Sequence, residues 1–70
     1  MDEQAFLHQL SVDTNVNIEL LKDLIRNDQL LALIRKKKLI DAAIKIRSIQ
    51  PRVGLREAQM IAQAFSREIR

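Results

Sequence analysis

The sequence has no cysteine, tryptophan or tyrosine, and only one proline, one glycine, one histidine and two phenylalanines in 70 residues. Each shortage removes a class of structure or chemistry. Without cysteine there is no disulfide framework, and one histidine with no thiol is not a structural zinc set. A single glycine cannot build a glycine-rich phosphate loop. Two aromatics give no row of stacking platforms for single-stranded nucleic acid. No apolar run approaches the ~18–20 residues that cross a bilayer. The opening Met1-Asp2-Glu3 has neither the positive charge nor the apolar stretch of a secretory leader. The expectation is a cytoplasmic protein with no membrane partner, no metal and no cofactor.

The remaining residues favour helix. With so few helix breakers, apolar positions can recur at helical spacing over long stretches. "DEQAFLHQL" (2–10) reads as a short helix and "SVDTN" (11–15) as a loop of turn-forming residues. Asn15 or Asn17 is placed to cap a helix carrying Ile18, Leu21, Leu24 and Ile25, and Asp28 a further one carrying Leu30, Leu31, Leu33 and Ile34. The next stripe, 39, 42, 43, 46 and 49, is out of phase with these. A bend or short loop is therefore expected near residues 35–38, with an unbroken helix over 28–49 as the alternative. Pro51 ends that helix near Ile49. Leu55, Ala58, Ile61, Ala62, Phe65 and Ile69 mark one side of a last helix, and Arg56, Gln59, Gln63 and Arg67 the other. No period-2 pattern persists. The fold expected is all-α: one domain, residues 1–70, as a small bundle of four or five short helices with a C-terminal helical hairpin.

A chain of this length buries only ~60% of the surface its unfolded form exposes. The hydrophobic fraction is nevertheless 47%. Leucines and isoleucines between Leu20 and Ile34 cover more than one helical stripe; either this is a central segment covered on several sides, or some of them stay on the surface as an interface. Self-association into a dimer would be one use for it.

Charge is divided along the chain. Residues 1–34 carry two basic and six acidic side chains, and residues 35–70 carry ten basic and three acidic. The basic half either faces the acidic half within the fold or faces an acidic partner.

The lone proline and lone glycine lie three residues apart in "PRVGLREA" (51–58). The spacing predicts a helical corner. Pro51 ends one helix, Gly54 supplies a positive φ, and Val53 and Leu55 turn inward. Lys45 and Arg47 on the incoming helix, with Arg52, Arg56 and Gln59 beyond it, make a basic corner.

Ile44-Lys45 and Val53-Gly54-Leu55-Arg56-Glu57-Ala58 resemble the helical hairpin of the bacterial ribosomal stalk protein's C-terminal domain. That family has an "IK" pair, a glycine-containing turn and "GLKEAK". The likeness covers residues 39–62. It implies an α/β domain whose hairpin recruits translation factors through a basic and apolar face. The chain departs from the pattern at Arg52, where the family has glycine, and at Ser48 and Gln59, where it has basic residues. Lys45 is the basic position that carries over.

Other chemistry is not supported by spacing. Asp13, Asn15 and Asn17 begin like a calcium loop, but Ile18 and Leu24 stand where glycine and glutamate are needed. His8 has no second ligand, and no serine has a neighbouring base. The chain is not expected to be an enzyme. The expected function is a non-catalytic adaptor or regulator, translation- or ribosome-associated on the stalk likeness. It would bind an acidic protein surface through Lys45, Arg47, Arg52, Arg56 and Gln59. The alternative is a DNA- or RNA-binding regulator that reads with the helix from residue 55.

Overall fold

Three of the helices begin where a side chain accepts a backbone amide that would otherwise lack a partner. In the computed structural model, which describes residues 2–68, Asp2 accepts from the Gln4 N–H at 3.2 Å and opens α1 (Glu3–Thr14). Asn17 accepts from the Glu19 N–H at 2.8 Å and opens α2 (Ile18–Ile25). Asn27 accepts from the Leu30 N–H at 2.9 Å and opens α3 (Asp28–Arg35). The cap of α3 is thus Asn27 and not Asp28, which is already the first helical residue. Two more helices follow, α4 (Leu39–Ile49) and α5 (Leu55–Glu68), and the described residues contain no strand. The fold is an all-α small bundle, where the stalk-domain likeness implies an α/β one.

Residues 11–14 are helical, not the loop their composition suggests. The Ser11 hydroxyl donates to the Val16 carbonyl at 2.5 Å and the Thr14 hydroxyl to the Leu10 carbonyl at 2.7 Å. These side chains satisfy backbone acceptors of the helix and its exit, so they no longer compete with it. The chain then turns at Asn15, whose φ of 57° is left-handed, a conformation asparagine tolerates.

The expected break at 35–38 is present and has a defined form. The Lys37 N–H donates to the Ile34 carbonyl and the Lys38 N–H to the Leu33 carbonyl, each at 3.0 Å. This pair of bonds is a Schellman closure of α3. Its left-handed position is Lys37, with φ 62°. Glycine occupies that position without a Cβ clash, whereas a residue with a Cβ costs roughly 1–2 kcal/mol there. The next residue, Lys38, is the N-cap of α4 and makes no side-chain capping bond. A missing cap costs about 1 kcal/mol. Two adjacent lysines therefore stand where local stability favours glycine and a small polar residue.

The core runs through all five helices. Phe65, Leu21, Leu24, Leu30, Ile34, Ile46 and Ile61 are fully buried. Phe6 packs on Phe65 with ring centroids 6.1 Å apart and planes tilted by 48°, a favourable aromatic geometry. The α4 and α5 helices form the most extensive contact in the fold. Ala42 and Ala43 on one, and Ala58 and Ala62 on the other, are at most 1% exposed and let the two backbones approach. The apolar residues between Leu20 and Ile34 are absorbed, all buried or half-buried apart from Ala32. Of the two readings for that stretch, the segment covered on several sides is the one found. The large exposed apolar residues are instead Val12, Ile40, Ile44, Leu55 and Met60. Ile69, assigned above to the inner side of α5, lies outside the described residues.

Candidate docking surface

The corner is made by local hydrogen bonding around Pro51. Gln50, at φ −127° and ψ 84°, lies outside the helical region, which the residue before a proline disfavours. Its carbonyl accepts from the Val53 N–H at 3.0 Å, closing a four-residue turn with Pro51 at the second position, where a fixed φ fits. Val53 turns inward and is 3% exposed, which anchors the corner to the core.

Two expectations for this corner are corrected. Gly54 does not have a positive φ, and the left-handed residues are Asn15 and Lys37. Gly54 instead stands at the start of α5, where its carbonyl accepts from the Ala58 N–H at 2.9 Å. The Glu57 side chain folds back over it into the space a Cβ would take. Glycine is used here to admit a neighbouring carboxylate, not to permit a special dihedral. Leu55 also does not turn inward, being 49% exposed. The first turn of α5 buries Ala58, and Leu55 lies on the flank of that stripe.

The five proposed contact residues are near in sequence but do not all share one face. Arg47, Arg52, Arg56 and Gln59 are exposed and Lys45 is half-buried. Lys45 and Arg47 are two residues apart on α4, so about 200° of helical rotation separates them. Arg56 and Gln59, three apart on α5, are neighbours. Arg52 faces the α1–α2 turn across a cleft of about 400 Å³ lined also by Asn15, Asn17, Leu20, Val53 and Glu57. The structure thus joins Arg56 with Gln59, sets Arg52 beside the α1–α2 turn, and places Lys45 and Arg47 on different flanks of α4.

Ile40, Ile44 and Arg47 follow one another at i, i+4 and i+7, which places them along one outer line of α4. Ile40 is 74% exposed and Ile44 58%. Their exposure follows from the sequence, because both fall off the 39/42/43/46/49 stripe. A second concavity, a groove of about 680 Å³ between α1 and α5, is lined by Phe6, Gln9, Leu10, Met60, Gln63 and Ala64 among others.

The two charged halves of the chain do not neutralise each other through close pairs. Among the described residues the one ion pair is Lys22 with Glu19, 3.5 Å apart within α2. No cation from Arg35 to Arg67 is paired with an acid among the described residues. No helix of the described residues is long and apolar enough to cross a membrane. Comparison with known proteins returns no matching family model, no matching curated protein and no matching solved structure.

Proposed function

We propose that the protein is a non-catalytic adaptor or regulator that docks an acidic protein surface on its α4–α5 hairpin. One observation carries this reading. Arg47, Arg52 and Arg56 have no ion pair among the described residues, and the two helices that the corner joins also expose Ile44 and Leu55. Arginine beside exposed apolar groups is the composition of protein interfaces, in which the apolar groups form a dry centre and the guanidinium groups pair at its edge. Gln59 adds a neutral hydrogen-bonding group next to Arg56. The likeness of "IK" and "VGLREA" to the stalk-protein hairpin makes a translation-associated partner the first class to try.

The alternative, nucleic acid read by α5, is less favoured at this corner. The connection from Gln50 to Gly54 is five residues long, against the three or four of a helix-turn-helix. The test is affinity capture from host lysate with the unaltered chain and with Arg52→Glu/Arg56→Glu. A specific protein should be recovered by the first, survive nuclease treatment, and be lost with the second while helicity is unchanged. Recovery of the same protein by both chains would remove the corner as the site.

A further inference from the structure

We propose that the turn between α3 and α4, formed by Arg35, Lys36, Lys37 and Lys38, binds the phosphate backbone of duplex DNA. This surface is separate from the corner and goes beyond the protein-docking reading. All four side chains are exposed, and none is paired with an acid among the described residues. The ordinary explanation for cations at the end of α3 is that they complement the negative end of its macrodipole. That explanation covers Arg35 and Lys36. It does not cover Lys37, which holds a left-handed backbone that glycine adopts without strain. Nor does it cover Lys38, which sits at the positive end of α4 in place of a capping side chain. Both positions keep a positive charge against local stability, and breaks of this kind concentrate where a chain is built for function.

The chemistry of the cluster selects the ligand. Lysine is depleted in protein interfaces, and four consecutive cations leave no apolar centre to desolvate. A polyphosphate needs no such centre, since each cation that neutralises a phosphate releases a bound counter-ion. The turn is also preformed. The Lys37 ammonium donates to the Ser66 hydroxyl at 3.1 Å, tying the turn to α5. The connection has three residues, the length of a helix-turn-helix, and the first turn of α4 leads away from it with Ile40 exposed. A B-form major groove admits such a helix, and its thymine methyls accept isoleucine. The deep, narrow groove of duplex RNA does not.

The experiment is an anisotropy titration of a labelled DNA duplex of random sequence, with an RNA duplex and polyglutamate as parallel ligands. With four phosphate contacts, DNA affinity should fall roughly 100-fold between about 50 and 200 mM salt. Lys37→Gly/Lys38→Ser removes two of the contacts while relieving the two local conflicts. It should melt at the same or a higher temperature, lower the salt slope by about two, and weaken DNA binding by at least about tenfold at the lower salt. Lys36→Ala/Lys38→Ala, which leaves Lys37 in place, should lose affinity to a similar degree. Absence of DNA binding at low salt would overturn the proposal. So would an unchanged slope in both variants, or equal affinity for the RNA duplex or polyglutamate.

Discussion

The two basic regions of this molecule are built in opposite ways. The α4–α5 corner follows local rules throughout. Its pre-proline residue has left the helical region, Pro51 sits where a turn accepts it, Val53 is buried, and Gly54 makes room for Glu57. The α3–α4 turn breaks two rules in succession, with lysine at a left-handed position and lysine as an unbonded N-cap. The corner's arginine side chains take no part in the hydrogen bonds and the buried anchor that build it. The turn's lysines are part of the frame and weaken it. Unpaired charge is most informative where it conflicts with the backbone beneath it.

Four substitutions probe the two regions and the frame that holds them. The largest effect should come from Val53→Asp, which puts a charge into the buried anchor of the corner. A loss of about 3 kcal/mol or more is expected, most of what a core this small supplies. Circular dichroism should show a largely unfolded chain, and a cooperative native-like melt would show that the corner is not anchored through Val53. Asn27→Ala should cost about 1 kcal/mol by removing the cap of α3, read as a lower denaturant midpoint with unchanged slope. Lys37→Gly should act in the opposite direction, raising stability by roughly 1 kcal/mol. A destabilised Lys37→Gly would mean that the Lys37–Ser66 hydrogen bond outweighs the dihedral strain. Gly54→Ala should be the mildest, within about 0.5–1 kcal/mol of the unaltered chain. No positive φ is needed there, and the obstructing group is the flexible end of Glu57. A larger loss would show that the Glu57 fold-back itself holds the corner.

The elements were legible in the sequence wherever a stripe had a single phase. The α4 stripe at 39, 42, 43, 46 and 49 and the phase jump between α3 and α4 reported burial correctly, and the α5 stripe did so at 58, 61, 62 and 65 but not at Leu55, which is exposed. What composition obscured was backbone detail. The hydroxyls of Ser11 and Thr14 look like loop formers until their acceptors, the Val16 and Leu10 carbonyls, are seen. The only glycine invited a left-handed assignment, yet asparagine and lysine take the left-handed positions. Their presence there depends on where the preceding helix stops, which the stripe fixes only to within a residue or two. At the candidate site, the exposure of Arg52, Arg56 and Gln59 was legible from polarity. The separation of Lys45 from Arg47 was legible from helical rotation. The inward turn of Val53 and outward turn of Leu55 were not separable, since both flank Gly54 and only tertiary packing distinguishes them.

The central claim is that equal amounts of positive charge serve different purposes at the two regions. The most direct test is a DNA titration at low salt with two variants matched in net charge, Lys37→Gly/Lys38→Ser and Arg52→Gln/Arg56→Gln. A loss of about tenfold or more is expected for the turn variant and less than about threefold for the corner variant. Equal losses would mean that DNA responds only to net charge and that neither region is a built site.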